Sequence, residues 1–285
     1  MFKILLGIVL LFVVALIGFF VFLGPPIDPA LLKSADFTYP DNGASACSSS
    51  TLTGKAGATD DIETNTGATY NIRTPANYNK QYAHPLIVVY APAGTSASKS
   101  ERHVHLTQEA TQAGFIIAYA NKLRMSLKAI EKLSTIPKSI QEKWCIDPSQ
   151  IYFTGHSDGG TITNALTFLP DSKTKPTAIA PSAAGMDKES LKQYACPTPL
   201  PVMVFHNKDD SHFKDFGQQA ADWWANCNQC SNEKSEPDQF GCQSYQSCPD
   251  ASKTFYCEGP GSHSVWPNKN TTLINFFLNH DHIAQ

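Results

Sequence analysis

Residues 155–160 read Gly155-His156-Ser157-Asp158-Gly159-Gly160, a serine with a glycine two places away on each side. That spacing suits a sharp strand-to-helix turn, in which the hydroxyl stands clear of the sheet and both flanking positions approach backbone too closely to carry a side chain. The turn also puts Ser157 at a helix amino terminus, where the Asp158 amide can donate to a developing oxyanion. A serine hydroxyl attacks only when a base removes its proton, and the base needs an orienting carboxylate, in the chain order serine, acid, histidine. The run 201–205 ends in His206-Asn207-Lys208-Asp209-Asp210, which offers two carboxylates, and His263 follows in a loop shaped by Gly259, Pro260 and Gly261. The expected chemistry is acyl transfer through a serine-bound intermediate, with His263 as the base and no metal or cofactor.

These residues need a scaffold that brings them to one edge. Short apolar runs at 70–73, 85–90, 115–120, 151–154, 178–180, 202–205 and 254–257 read as strands. Helix-like stretches lie between them at 100–112, 122–143, 158–168, 187–194, 214–227 and 270–280. Such alternation predicts right-handed βαβ crossovers and a mostly parallel α/β sheet covered on both faces. The strands are continuous apolar runs, as doubly covered strands are. Ser157 then sits at the end of one strand, the two carboxylates at the end of another and His263 just past the last.

The composition sets the compartment. With 22 Lys and Arg against 25 Asp and Glu, the 285-residue chain has no basic excess for a phosphate backbone, so nucleic acid is not an expected partner. Residues 4–24 carry neither charge nor strongly polar side chain and follow Lys3, so they read as a transmembrane signal anchor, or as a long secretory signal if cleaved. Either reading puts the rest outside the cytoplasm, held to the membrane by residues 1–24 or released as a secreted protein. Residues 25–60, rich in Pro, Ser, Gly, Ala and Thr, read as a tether and irregular lead-in, and residues 61–285 as the catalytic domain, with regular order starting near Thr69. The eight cysteines, five of them within 227–257, predict a disulfide-stapled domain with a Cys-rich insertion; the pairing is open. A zinc site on Cys227, Cys230, Cys242 and Cys248 is the alternative use of those thiols.

Residues 68–285 resemble the extracellular poly(3-hydroxybutyrate) depolymerase and feruloyl or acetylxylan esterase group of α/β-hydrolases. The resemblance is carried by Tyr70-Asn71-Ile72-Arg73-Thr74-Pro75-Ala76-Asn77-Tyr78, by Pro85-Leu86-Ile87-Val88-Val89, by Ile146-Asp147-Pro148-Ser149-Gln150-Ile151-Tyr152, by the turn at 155–160, and by Gly261-Ser262-His263 followed by Trp266-Pro267. It implies Ser157 as nucleophile, His263 as base, and Asp210 rather than Asp209 as acid. The implied substrate is a small or oligomeric ester of the hydroxyalkanoate, feruloyl or acetyl kind. Two departures stand out. The group places His-Gly and a small residue after the first long strand, whereas this chain reads Tyr90-Ala91-Pro92-Ala93-Gly94. Pro92 has no amide, so the second oxyanion donor falls to Ala93 or Gly94. The group's glycine after the strand-ending histidine is Asn207 here.

Of the remaining residues, Trp266 is a candidate aromatic wall for the substrate. His156 reads as a packing or hydrogen-bonding residue, His206 and His212 as residues orienting the acid's loop, and Asn270-Thr271-Thr272 as a glycosylation triplet. The rival to an enzyme is a hydrolase-fold surface binding protein, whose altered loop at 90–95 marks lost activity.

Overall fold

The computed structural model describes residues 28–36, 47, 52–249 and 252–280. The apolar segment 4–24 and its membrane reading lie outside them. Among the described residues no helix is long and apolar enough to cross a membrane.

A nine-stranded sheet organises the chain in the order β1-β2-β4-β3-β5-β6-β7-β9-β8. Its strands are β1 (Ala58–Glu63), β2 (Thr69–Arg73), β3 (His84–Tyr90), β4 (Ile116–Ala120), β5 (Ile146–His156), β6 (Ala178–Ser182), β7 (Val202–Asn207), β8 (Cys242–Ser244) and β9 (Thr254–Gly259). The six strands from β4 to β9 through the centre pair in parallel, and antiparallel pairs close both margins. Every residue of β3 is buried, as its run His-Pro-Leu-Ile-Val-Val-Tyr requires of a strand covered on both faces. Leu86, Val88 and Tyr90 face one layer, Ile87 and Val89 the other.

Helices α3 (Leu127–Leu133), α4 (Ile136–Gln141), α5 (Asp158–Phe168) and α7 (Phe216–Cys227) bury Ile130, Leu133, Ile136, Leu166 and Trp224 on one face. Helices α1 (Ala97–Val104), α2 (Thr107–Gln112) and α8 (Asn270–Asn279) bury Val104, Ala110, Phe276 and Phe277 on the other. A short α6 (Lys188–Leu191) completes the set. Two of the expected helices are broken. His105 ends α1 in the left-handed region at φ 52°, its N–H donating to the Glu101 carbonyl. Pro137, early in α4, cannot donate a backbone hydrogen bond to a preceding turn, which separates α4 from α3.

The margins differ most from expectation. The sheet begins at Ala58, not near Thr69, so β1 crosses the expected boundary at 61; its sequence Ala-Thr-Asp-Asp-Ile-Glu lacks the apolar run of an inner strand. Described residues of the lead-in are docked: Asp36 N–H donates to the Gln112 carbonyl at 2.9 Å, Ala35 N–H to Asn77 Oδ1 at 2.8 Å, and Cys47 is bonded to Cys145. The other bridges join Cys196 to Cys227, Cys230 to Cys248 and Cys242 to Cys257, so no thiol remains for the alternative zinc site. Asn270 is 7% exposed. Its Nδ2 donates to the carbonyls of Val104 and His105, and its Oδ1 accepts from Trp266 Nε1, so the triplet there is a packed helix start and not an open glycan acceptor.

One buried ion pair binds β2 to α1. Arg73, fully buried, donates from Nε and Nη2 to the two carboxylate oxygens of Glu101 at 2.9 and 2.8 Å and from Nη1 to Asp60 at 2.6 Å. Thr107 Oγ1 donates to Glu101 as well. Removing Glu101 leaves the buried guanidinium with only the half-exposed Asp60 and two unpaired donors, so Glu101→Ala is expected to lower the unfolding free energy by about 3 kcal/mol, read from the urea midpoint.

Candidate functional site

Ser157 links β5 to α5 with φ 56° and ψ −118°. For a residue with a side chain this conformation is strained, and it persists only where its surroundings over-determine it. Ser157 N–H donates to the Ser182 carbonyl at the end of β6 at 2.9 Å. A Cβ on Gly159 would overlap the Tyr90 carbonyl, so only glycine lets the first turn of α5 lie against the end of β3. That approach sets the loop after β3 beside the serine.

The structure brings Ser157, His263 and Asp210 into one hydrogen-bonded chain. Ser157 Oγ lies 2.9 Å from His263 Nε2, and His263 Nδ1 lies 2.8 Å from Asp210 Oδ2. Asp210 is fully buried while His263 stays partly open. Oδ1 of Asp210 accepts the backbone N–H groups of His212 and Phe213, each at 2.9 Å. Burial raises the Asp210 pKa, but the hydrogen bonds from His263 and the Phe213 amide, with the charges of His263 and His206, outweigh it and hold the carboxyl below its ordinary value. An ionised acceptor at Oδ2 fixes the His263 proton on Nδ1 and leaves Nε2 free to receive one from Ser157. Asp209 is exposed, and its backbone N–H donates to the Gly261 carbonyl at 3.1 Å.

Of the expected oxyanion donors, Asp158 is the first residue of α5, where an N–H has no carbonyl one turn earlier to meet. Ala93 and Gly94 are exposed at the tip of a turn closed by Thr95 N–H on the Pro92 carbonyl at 3.1 Å. Gly94 has φ 71°, as the third position of such a turn demands, and its carbonyl accepts from Lys122 Nζ at 2.9 Å. Trp266 is not an open wall. It is 8% exposed, bonded to Asn270 and edge-on to His156, so it packs beneath the histidine loop. The aromatic ring beside the site is Phe213, perpendicular to His263 with centroids 4.9 Å apart and lying over Gly185. No motif around Phe213 separates it from an ordinary core residue in the sequence.

The other histidines surround this chain. His206 Nε2 is 3.7 Å from Asp210 Oδ2, and the His212 ring tilts toward His263 at 4.9 Å. His103 lies edge-on to His156 at 5.2 Å. His156 is 3% exposed, with Nε2 2.6 Å from the His263 carbonyl and Nδ1 2.9 Å from Ser182 Oγ. A carbonyl only accepts, so Nε2 carries the proton and Nδ1 accepts from the serine. Asn207, the departure after the strand-ending histidine, ends β7 in the ordinary extended conformation and donates from Nδ2 to the carbonyls of Ser262 and Val265.

No protein-family model matches the sequence. The chain is similar to feruloyl esterase B of Piromyces equi, at 24% identity over 227 residues, which covers 65% of this chain but 40% of that protein. It is similar in structure to an acetyl xylan esterase from Aspergillus awamori, with a TM-score of 0.60 and 14% identity over 79% of this chain and 99% of that one. It is also similar to a fluorophosphonate-binding serine hydrolase of Staphylococcus aureus, with a TM-score of 0.56 and 11% identity over 79% and 100% of the two chains. Sheet order and these likenesses define the fold, a mostly parallel α/β sheet of the kind these solved hydrolases share. The poly(3-hydroxybutyrate) depolymerase part of the resemblance rests on sequence motifs alone.

Burial pushes His156 down to about 4, against the opposing pull of the His263 carbonyl. The unfolded chain therefore binds a proton at His156 below its ordinary pKa that the folded chain refuses until about pH 4, so acid favours unfolding across that interval. Burial shifts His84, His103, His206 and His280 the same way. The unfolding free energy should fall as pH drops from 6.5 toward 4, and His156→Gln should remove a share of up to about 3 kcal/mol. Denaturant titrations of both proteins at several pH values measure this.

Proposed function

We propose that the protein is a serine carboxylic-ester hydrolase working outside the cytoplasm on small or oligomeric esters. The observation that carries this is the unbroken chain of hydrogen bonds from Asp210 through His263 to Ser157, with the serine at a strained turn before a helix. Ser157 Oγ attacks the ester carbonyl carbon while its proton passes to His263 Nε2. His263 then gives that proton to the alcohol oxygen as the carbon-oxygen bond breaks, leaving an acyl-enzyme. Water attacks the acyl carbon, again losing a proton to His263, and the acid leaves as Ser157 recovers it. Asp210 holds the imidazole in the required tautomer. The Asp158 amide and one from Ala93 or Gly94 receive the developing oxyanion.

The similarity to feruloyl esterase B and to an acetyl xylan esterase favours feruloyl and acetyl esters of sugars over hydroxyalkanoate oligomers. Four disulfides support an oxidising, extracytoplasmic compartment. The experiment is intact-mass and peptide analysis after treatment with a fluorophosphonate, beside hydrolysis of methyl ferulate, acetylated xylo-oligosaccharides and hydroxybutyrate trimers. One phosphonyl group confined to Ser157 is expected, with Ser157→Ala unlabelled. Asp210→Asn should lose about 10⁴ in kcat with its fold intact. A folded wild type that neither labels nor hydrolyses any ester would replace this reading with the binding-protein one.

A further inference from the structure

Within the loop that carries His263, Val265 N–H donates to the Ser262 carbonyl at 3.2 Å and the Ser262 and Ser264 hydroxyls meet at 3.2 Å, while Asp209 N–H holds the Gly261 carbonyl. Ser262, Ser264 and Val265 are exposed, and the chain enters the core only at Trp266. A base that must meet Ser157 Oγ at one end and Asp210 at the other needs its backbone fixed to a fraction of an ångström. Three carbonyls of this loop are taken by buried side-chain donors from neighbouring strand ends. Asn207, 1% exposed on β7, donates both Nδ2 protons, to Ser262 at 3.0 Å and to Val265 at 2.7 Å. His156, on β5, donates to the carbonyl of His263 itself at 2.6 Å, and Ser182 on β6 holds the far nitrogen of that ring. The strand beside Asn207 leaves room for the amide: a Cβ on Gly259 would stand 2.8 Å from Asn207 Oδ1.

We propose that Asn207 and His156 are positioning residues that clamp the His263 loop, setting the base for proton exchange with Ser157. This rests on the triad reading above. Neither side chain touches the reacting atoms; each acts through the backbone of the residue that does. Asparagine at 207 is thus a working replacement for the glycine of the resembled group, which has no side chain to make either bond.

The test compares wild type with Asn207→Gly, His156→Ala and His156→Gln, by steady-state hydrolysis of p-nitrophenyl acetate and by hydrogen exchange of the peptide covering 260–266. Asn207→Gly and His156→Ala should lower kcat at least roughly tenfold, with KM within about twofold of wild type. Exchange in 260–266 should quicken while the remaining peptides keep their protection. His156→Gln, whose side-chain amide can replace the Nε2 donor, should recover most of kcat. Wild-type kcat and unchanged exchange in the first two variants, or equal losses in His156→Ala and His156→Gln, would overturn the clamp. If Asn207→Gly does not fold, the two His156 variants decide. If wild type itself shows no serine labelling, the triad reading falls, while exchange in 260–266 still decides whether the clamp exists.

Discussion

At the turn between β5 and α5 one residue is held where residues with side chains rarely go. Ser157 at φ 56° costs of order 1–3 kcal/mol, and several neighbours share the task of keeping it there. The Ser182 carbonyl takes its N–H, and Gly159 lets the helix close on Tyr90. A side chain at 159 would meet the Tyr90 carbonyl, so α5 and the end of β3 could not keep this contact. Strand order serves that contact. Placing β3 directly beside β5 puts the Tyr90 carbonyl within reach of the helix that starts where β5 ends.

Around the turn, the polar groups are set by where strands stop. Ser157, Asp210 and His263 follow the carboxyl ends of β5, β7 and β9, the edge where an open α/β sheet gathers functional groups. Backbone amides take much of the electrostatic load. Two of them meet Asp210 Oδ1 and, together with the hydrogen bond from His263, hold the desolvated carboxyl below its ordinary pKa. Burial lowers the pKa of His103, His156 and His206 and so favours their neutral form.

Much of this was legible in the sequence, for physical reasons. Doubly buried strands are continuous apolar runs, so β2 to β7 and β9 announced themselves, and a glycine-flanked serine between such a run and a helix has few other uses. The margins did not. β1 alternates exposure along a polar stretch and β8 is three residues long, so neither carries enough apolar periodicity to register. The breaks at His105 and Pro137 depend on local backbone choices inside stretches of helical composition. Trp266 and Asn270 read as substrate wall and glycan acceptor because type and spacing are silent about burial, and each turned out to satisfy the other. Asn207 looked like a compromised glycine; only the fold shows two carbonyls waiting for its amide.

The bridges bear on how such a chain is made. Cysteines reach an oxidising compartment in chain order during synthesis, and joining each to the next gives Cys47 with Cys145 and then Cys196 with Cys227, as found. The last four break the rule. Cys242 lies inside the loop closed by Cys230 and Cys248, and Cys248 inside the loop closed by Cys242 and Cys257, so neighbour-by-neighbour oxidation would trap both in the wrong partnership. These two bonds must therefore wait until β8 lies against β9 and sets Cys242 opposite Cys257, or be reached by thiol exchange from earlier pairings. Without a disulfide isomerase those two bonds depend on β8 reaching β9 before Cys242 meets another thiol.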